Sequence, residues 1–225
     1  MGTWSDRQLA AIGAVVATVL FVVAFALFGS SPAFDAASGK IVAYFHDHHR
    51  RLLSAAVLGE AGVAVMIGVV ARLAVVLRDG GHRALAAVTG IAGAASTGML
   101  AVIFGLFAGF AQLATFGPEA GAIAPLYRLT AFLQTGWFWV TLVLVACVAV
   151  AARSRRFGPW LALANGAVAV LLLLGGISVK GEGVLEAGSG ALAIVGSIAF
   201  LAWLLHLALL LWQPAEVTEA APTPA

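Results

Sequence analysis

LAAIGAVVATVLFVVAFALF, residues 9–28, runs from Leu9 to Phe28 without one charged side chain. A helix needs about 20 apolar residues to cross roughly 30 Å of hydrocarbon, so this stretch reads as a membrane span. Charges punctuate the rest of the chain at matching intervals. Leu52 to Ala71 is interrupted only by Glu60, and the next run opens at Ala84 and meets no charge before Glu119, with Gly117-Pro118 lying beyond the membrane. Further runs lie between Arg128 and Arg153, between Arg156 and Lys180, and from Ala187 towards Gln213-Pro214, with His206 inside the last. In lipid an open sheet edge cannot satisfy its backbone groups, whereas a helix can. The expected fold is therefore all-α, a polytopic bundle of six transmembrane helices over residues 1–212, with spans near 9–28, 52–76, 84–110, 129–152, 158–178 and 190–212. Residues 213–225, rich in Pro and Ala with nothing to bury, are expected to form a disordered cytoplasmic tail.

Composition excludes the main alternatives. The chain has 225 residues, 62% hydrophobic and 10% charged, with mean hydropathy +1.05. A soluble domain carries about 25% charged residues, so an ordinary water-facing surface cannot be built. The single cysteine, Cys147, rules out an internal disulfide and any cysteine-based zinc spacing. A net charge of +2 gives no footprint for nucleic acid.

The first run follows Arg7 and precedes Ser31-Pro32-Ala33, which resembles a signal-peptidase site. It exceeds the roughly 7–15 residues of a signal core, so it reads as a retained helix. Lys and Arg in short loops set orientation. The tight basic turns Arg78–Arg83 and Arg153–Arg156 place both termini in the cytoplasm, with Arg50 and Arg51 as the opposing signal. Lys40–His46 reads as helix running straight into the second span, and the loop from Gly175 to Gly190, with its many glycines, reads as mobile.

Membrane helices associate through small residues that let backbones approach. In the third span Ala94, Gly98, Ala101, Gly105, Ala108 and Gln112 follow alternating spacings of four and three, which marks that span as the centre of the bundle. Phe104, Phe107 and Phe110 then point elsewhere as filler, and Trp137, Trp139, Trp160, Trp203 and Trp212 are read as interface anchors or as lying on bundle faces.

Four polar residues in or beside the spans are candidate binding or proton sites: Glu60, Gln112, Asn165 and His206. A carboxyl in the bilayer is costly and is a functional hypothesis by default. Ala56, Glu60, Ala64 and Gly68 fall every fourth residue, so a neighbouring helix could approach and cover a neutral Glu60. Arg72 is too far along the helix to pair with it, at about 18 Å, which leaves Asn165, Gln112 and Gln134 as partners. His206 reads as a packed, hydrogen-bonded histidine, since no second intramembrane histidine is available for a haem.

The densest polar constellation is His46-Asp47-His48-His49-Arg50-Arg51. On one continuous helix His46 and His49 share a face, and imidazole is a common metal ligand. A catalytic zinc needs three protein ligands, drawn from His46, Asp47, His48 and His49 with Glu119, Glu182 or Glu186. The competing reading is a polar cap in which Asp47 pairs with Arg51 and the other groups meet lipid headgroups. No nucleotide, protease or hydrolase motif is present, and no cofactor is called for.

Tyr44-Phe45, His49 to Ala56, Arg72-Leu73, Leu77-Arg78, Phe157-Gly158-Pro159-Trp160-Leu161 and Leu201-Ala202-Trp203-Leu204-Leu205 together resemble an uncharacterised six-helix integral membrane family of bacteria, a domain of unknown function. The likeness covers about residues 40–212. It implies the six-helix fold and carries no activity, substrate or site residue. Two function classes follow from the sequence. One is a non-enzymatic binding, accessory or small transport protein using Glu60, with the lipid bilayer and a membrane protein or a second copy as partners. The other is a membrane-embedded metal-dependent enzyme or redox subunit using the His46–His49 cluster.

Overall fold

The computed structural model describes residues 5–117, 120–152, 159–177 and 191–212. They form seven α-helices, α1 (Asp6–Phe28), α2 (Ser38–Asp47), α3 (His49–Asp79), α4 (Arg83–Phe116), α5 (Ile123–Ala152), α6 (Pro159–Gly176) and α7 (Ala191–Trp212), with one 3-10 turn at Ala120–Ala122 and no strand among the described residues. Five of them, α1, α3, α4, α5 and α7, are long and apolar enough to cross a membrane. The basic turn Arg153–Arg156, the glycine-rich loop beyond Ile177, Glu119, Glu182, Glu186 and the tail from Gln213 lie outside the described residues.

Local chemistry sets the ends. Ser5 caps α1 and receives the Gln8 backbone N–H, while the Gln8 side chain accepts from the Ser5 N–H, a reciprocal box that satisfies two orphan donors. Gly81, at φ +87°, makes the tight turn from α3 into α4, a conformation that glycine adopts without steric cost.

Packed pairs of helices close a ring: α1 on α3, α3 on α4, α4 on α5, α5 on α6, α6 on α7, and α7 back on α1. The third long helix is therefore one stave of a ring and not the centre of a bundle. The face it turns inward also differs from the expected one. Phe104, Phe107 and Phe110 are buried at 1%, 9% and 1% exposure, whereas Ala94, Gly98, Gly105 and Gln112 are exposed and Ala101 and Ala108 partly so. Along the second half of α4 the inward face is aromatic, and the small row Ala94, Gly98 and Gly105 is turned out, while Ala92, Gly93 and Ala111 of the same helix are buried.

Phe104 is the wedge. It lies against Gly59 of α3, where a Cβ would collide with its ring, and stacks with Phe21, Phe25 and Phe28 of α1 at centroid distances of 6.1, 6.2 and 5.9 Å. Phe21 meets Phe200 of α7 at 6.1 Å, and Phe200 meets Trp137 of α5 at 5.0 Å. Trp137 and Trp203, at 2% and 0% exposure, are thus core residues and not interface anchors. Among the tryptophans whose exposure is described, Trp139 and Trp212 are turned outward, at 44% and 49%.

α2 is a separate element. The backbone departs from helical geometry at His48 (φ −115°, ψ 13°), so Lys40–His46 does not run straight into the second span. α2 instead packs on α4 and α5, burying Ile41 and Phe45, with Phe45 against Phe110 at 5.3 Å and Tyr127 at 5.5 Å. Four side-chain hydrogen bonds pin the chain that leads into it. The Tyr44 hydroxyl donates to the Phe28 carbonyl at 2.6 Å and the Tyr127 hydroxyl to the Pro32 carbonyl at 2.7 Å. Arg128 donates to the Phe34 and Ala36 carbonyls, each at 3.0 Å. Burial raises the Tyr44 phenol above its ordinary value near 10, with Arg51 offsetting part of the effect. Its stabilising contribution is therefore complete below about pH 10 and is lost only as pH climbs through the raised value.

Gly59→Ala is expected to lower the thermal unfolding midpoint in detergent, by the equivalent of about 1–3 kcal/mol of overpacking. Gly105→Ala, whose new Cβ would meet only the Glu60 carboxyl at 3.8 Å, is expected to leave it within error. Equal effects would mean that the ring interior is wrongly assigned.

Candidate functional site

Two polar assemblies sit inside the ring. In the first, Ser96 of α4 and Thr141 of α5 share a hydrogen bond at 2.8 Å, and the Trp137 indole donates to Ser96 at 3.0 Å. In the second, the Trp203 indole donates to Asn165 Oδ1 at 2.8 Å, and Asn165 Nδ2 lies 3.4 Å from His206 Nε2. Trp203 and His206, three residues apart on α7, share a face and together hold the fully buried amide of α6. Indole N–H is a donor only, which fixes Oδ1 towards Trp203 and the amide NH₂ towards His206. His206 Nε2 is then placed to accept from that amide. This clasp ties α6 to α7.

The structure brings Asn165 and His206 together but sets Glu60 apart from both. α3 and α6 lie on opposite sides of the ring, so Asn165 is not the partner of Glu60. Gln112 is exposed near the end of α4. Glu60 is partly exposed, a little over a third of the way along α3, and its carboxyl reaches the outward face of α4 beside Gly105. Among the described residues it has no hydrogen-bond or ion-pair partner. Ala64 and Gly68 on α3 are exposed along the same outward side, so the carboxyl sits in a shallow strip of small residues shared by the two helices.

The cluster at His46–Arg51 straddles the break at His48, so His46 and His49 do not share one continuous helix face. His46 Nδ1 pairs with Asp47 Oδ1 at 3.1 Å, and it is His46, not Arg51, that takes this carboxylate. His49 Nδ1 lies 3.3 Å from the His46 carbonyl oxygen, with its ring edge-on to Phe116 at 6.5 Å. His48 stacks on Tyr44 at 5.2 Å. The three imidazoles thus have three different surroundings. Among the described residues no group of three His, Cys, Asp or Glu side chains is placed to hold a metal ion.

Sequence reasoning missed Tyr127, Arg128, Trp137 and the Ser96–Thr141 pair. The usable signal was chemical: indole and phenol groups within apolar runs need a partner when buried, and the serine, threonine and asparagine residues of neighbouring spans supply it. The chain matches no protein-family model, no curated protein and no solved structure.

Asn165→Leu is expected to destabilise the protein by about 1–3 kcal/mol, because the buried Trp203 donor loses its acceptor. The further change Trp203→Phe in the same chain should recover part of that loss. Thermal unfolding of the single and double variants checks this, and an unchanged midpoint for Asn165→Leu would remove the clasp from the account.

Proposed function

We propose that this chain is a six-span protein of the bacterial cytoplasmic membrane, non-enzymatic, that binds another membrane helix along the outward strip where Glu60 meets the small residues of α4. The sixth span is α6, whose 18 residues measure about 27 Å at 1.5 Å per residue, close to the hydrocarbon thickness. The basic turns Arg78–Arg83 and Arg153–Arg156 favour cytoplasmic termini.

One observation carries the functional reading: a carboxyl a little over a third of the way along α3, without a hydrogen-bond or ion-pair partner among the described residues, opens onto exposed glycine and alanine. An acidic residue at the bilayer centre costs roughly 2.5–3.5 kcal/mol. Burial against protein with a hydrogen bond offsets that cost, and small residues are the surface on which a second helix packs closely. Binding or assisting another membrane protein, or a second copy, is the activity that such a strip serves.

The test compares three variants in native membranes, with complex formation read by chemical crosslinking and by size in mild detergent. Glu60→Gln keeps the shape and hydrogen bonding and should retain the complex. Glu60→Leu and Gly105→Leu should lose it while unfolding at near-parental temperature. If Glu60→Leu assembles as the parent does, the strip is not a helix-binding surface. For topology, a periplasm-dependent reporter fused after Lys40 should be active and one fused after Arg155 silent; the reverse pattern would mean that Arg50 and Arg51 set the orientation.

A further inference from the structure

The opposite charge pattern holds at the end of the ring where α2 meets α3. Asp47, His48, His49, Arg50 and Arg51 line one open cleft of about 260 Å³, room for a small anion and several waters at about 30 Å³ per water. From this cleft we infer a binding site for a phosphate group, independent of the Glu60 strip.

The sign of the charge selects the ligand. Arg50 and Arg51 are permanently cationic, and neither has a carboxylate partner among the described residues. The cleft's one acid, Asp47, is held 3.1 Å from the His46 ring. Two fixed positive charges in a cleft with two imidazoles repel a metal cation and attract an anion.

The cleft is also held in place before any ligand arrives. The His48 ring lies nearly parallel to Tyr44, 26° from coplanar, at 5.2 Å, and its Nδ1 is buried without a hydrogen-bond partner. Arg51 lies beside the Tyr44 hydroxyl, and it passes over Gly29, where a Cβ would sit 3.4 Å from its guanidinium. Tyr44 is anchored in turn to the Phe28 carbonyl at 2.6 Å. The first turn of α3 holds no acidic residue, so the positive end of its dipole adds to the same field.

Guanidinium groups recognise phosphate oxygens by paired hydrogen bonds, a geometry that carboxylate and phosphate match and that halide does not. The phosphate can belong to an anionic phospholipid headgroup or to a free phosphate, since the cleft opens at the end of a membrane-spanning helix. The chemistry is shared, and the experiment separates the sources.

Purified full-length protein is placed in nanodiscs of phosphatidylcholine alone or with added phosphatidylglycerol, and inorganic phosphate is titrated by calorimetry. Retained lipid is read by native mass spectrometry. Saturable one-site binding of inorganic phosphate in both nanodiscs identifies free phosphate as the ligand. Retention of phosphatidylglycerol, with phosphate binding lost in its presence, identifies the headgroup. In either case Arg50→Gln should weaken binding about tenfold, and the interaction should weaken as salt is raised. Arg50 is exposed, so this variant should fold. Should it not, Arg50→Lys, which keeps the charge and removes the fork, and His48→Gln carry the same test with smaller losses. The inference is overturned if neither phosphate nor phosphatidylglycerol binds, or if folded Arg50 and His48 variants bind as the parent does.

Discussion

The Phe104 ring pressed against Gly59 is the contact on which the remaining structure depends. From it a connected series of aromatic contacts crosses the interior: Phe104 to Phe21 on α1, Phe21 to Phe200 on α7, and Phe200 to Trp137 on α5 and to Trp203. Trp203 then reaches Asn165 on α6 through its indole N–H. Every stave of the ring is touched by this series. The missing side chain at Gly59 is what lets α3 come close enough for Phe104 to reach α1.

That constraint fixes what faces outward. Helix pairs in lipid commonly meet through small residues, and Ala14, Ala17, Gly93 and Ala111 are buried in this way, but around Phe104 the interior is packed with aromatic rings. With Phe104, Phe107 and Phe110 turned inward, Ala94, Gly98 and Gly105 lie on the opposite face by helical geometry. The polar groups divide in the same way. Ser96, Thr141, Asn165 and both inward tryptophans find partners within the ring, whereas Glu60 is left on the outer strip.

The five long apolar helices were legible in the sequence because charge is expelled from hydrocarbon whatever the tertiary arrangement, and the long stretches poor in charge record that directly. Facing was not legible in the same way. Small residues at 94, 98, 101 and 105 and large ones at 100, 103, 104, 107 and 110 both follow helical periodicity, so period alone cannot say which row turns inward. The pair Gly59 and Gly62 on α3 was the discriminating signal, since both leave space filled by an aromatic ring, Phe104 and Phe21 respectively. The candidate site was legible in part. Glu60 stands out because it is the acid inside a span, but its separation from Asn165 depends on ring order, which no local pattern encodes. The break at His48 was equally hidden, because the tertiary pull of Phe45 and Ile41 towards α4 and α5 overrides a locally helical sequence.

The inward aromatic row with its outward small row is tested most directly by nitroxide scanning of α4. Single cysteines at positions 94 to 107, in a Cys147→Ala background and a monomeric detergent preparation, would be labelled and their oxygen accessibility measured. The account predicts maxima at positions 94, 98, 102 and 105, which are exposed, and minima at 97, 100, 104 and 107, which are buried. Maxima at 97, 100, 104 and 107 would contradict it and restore the small residues to the interior.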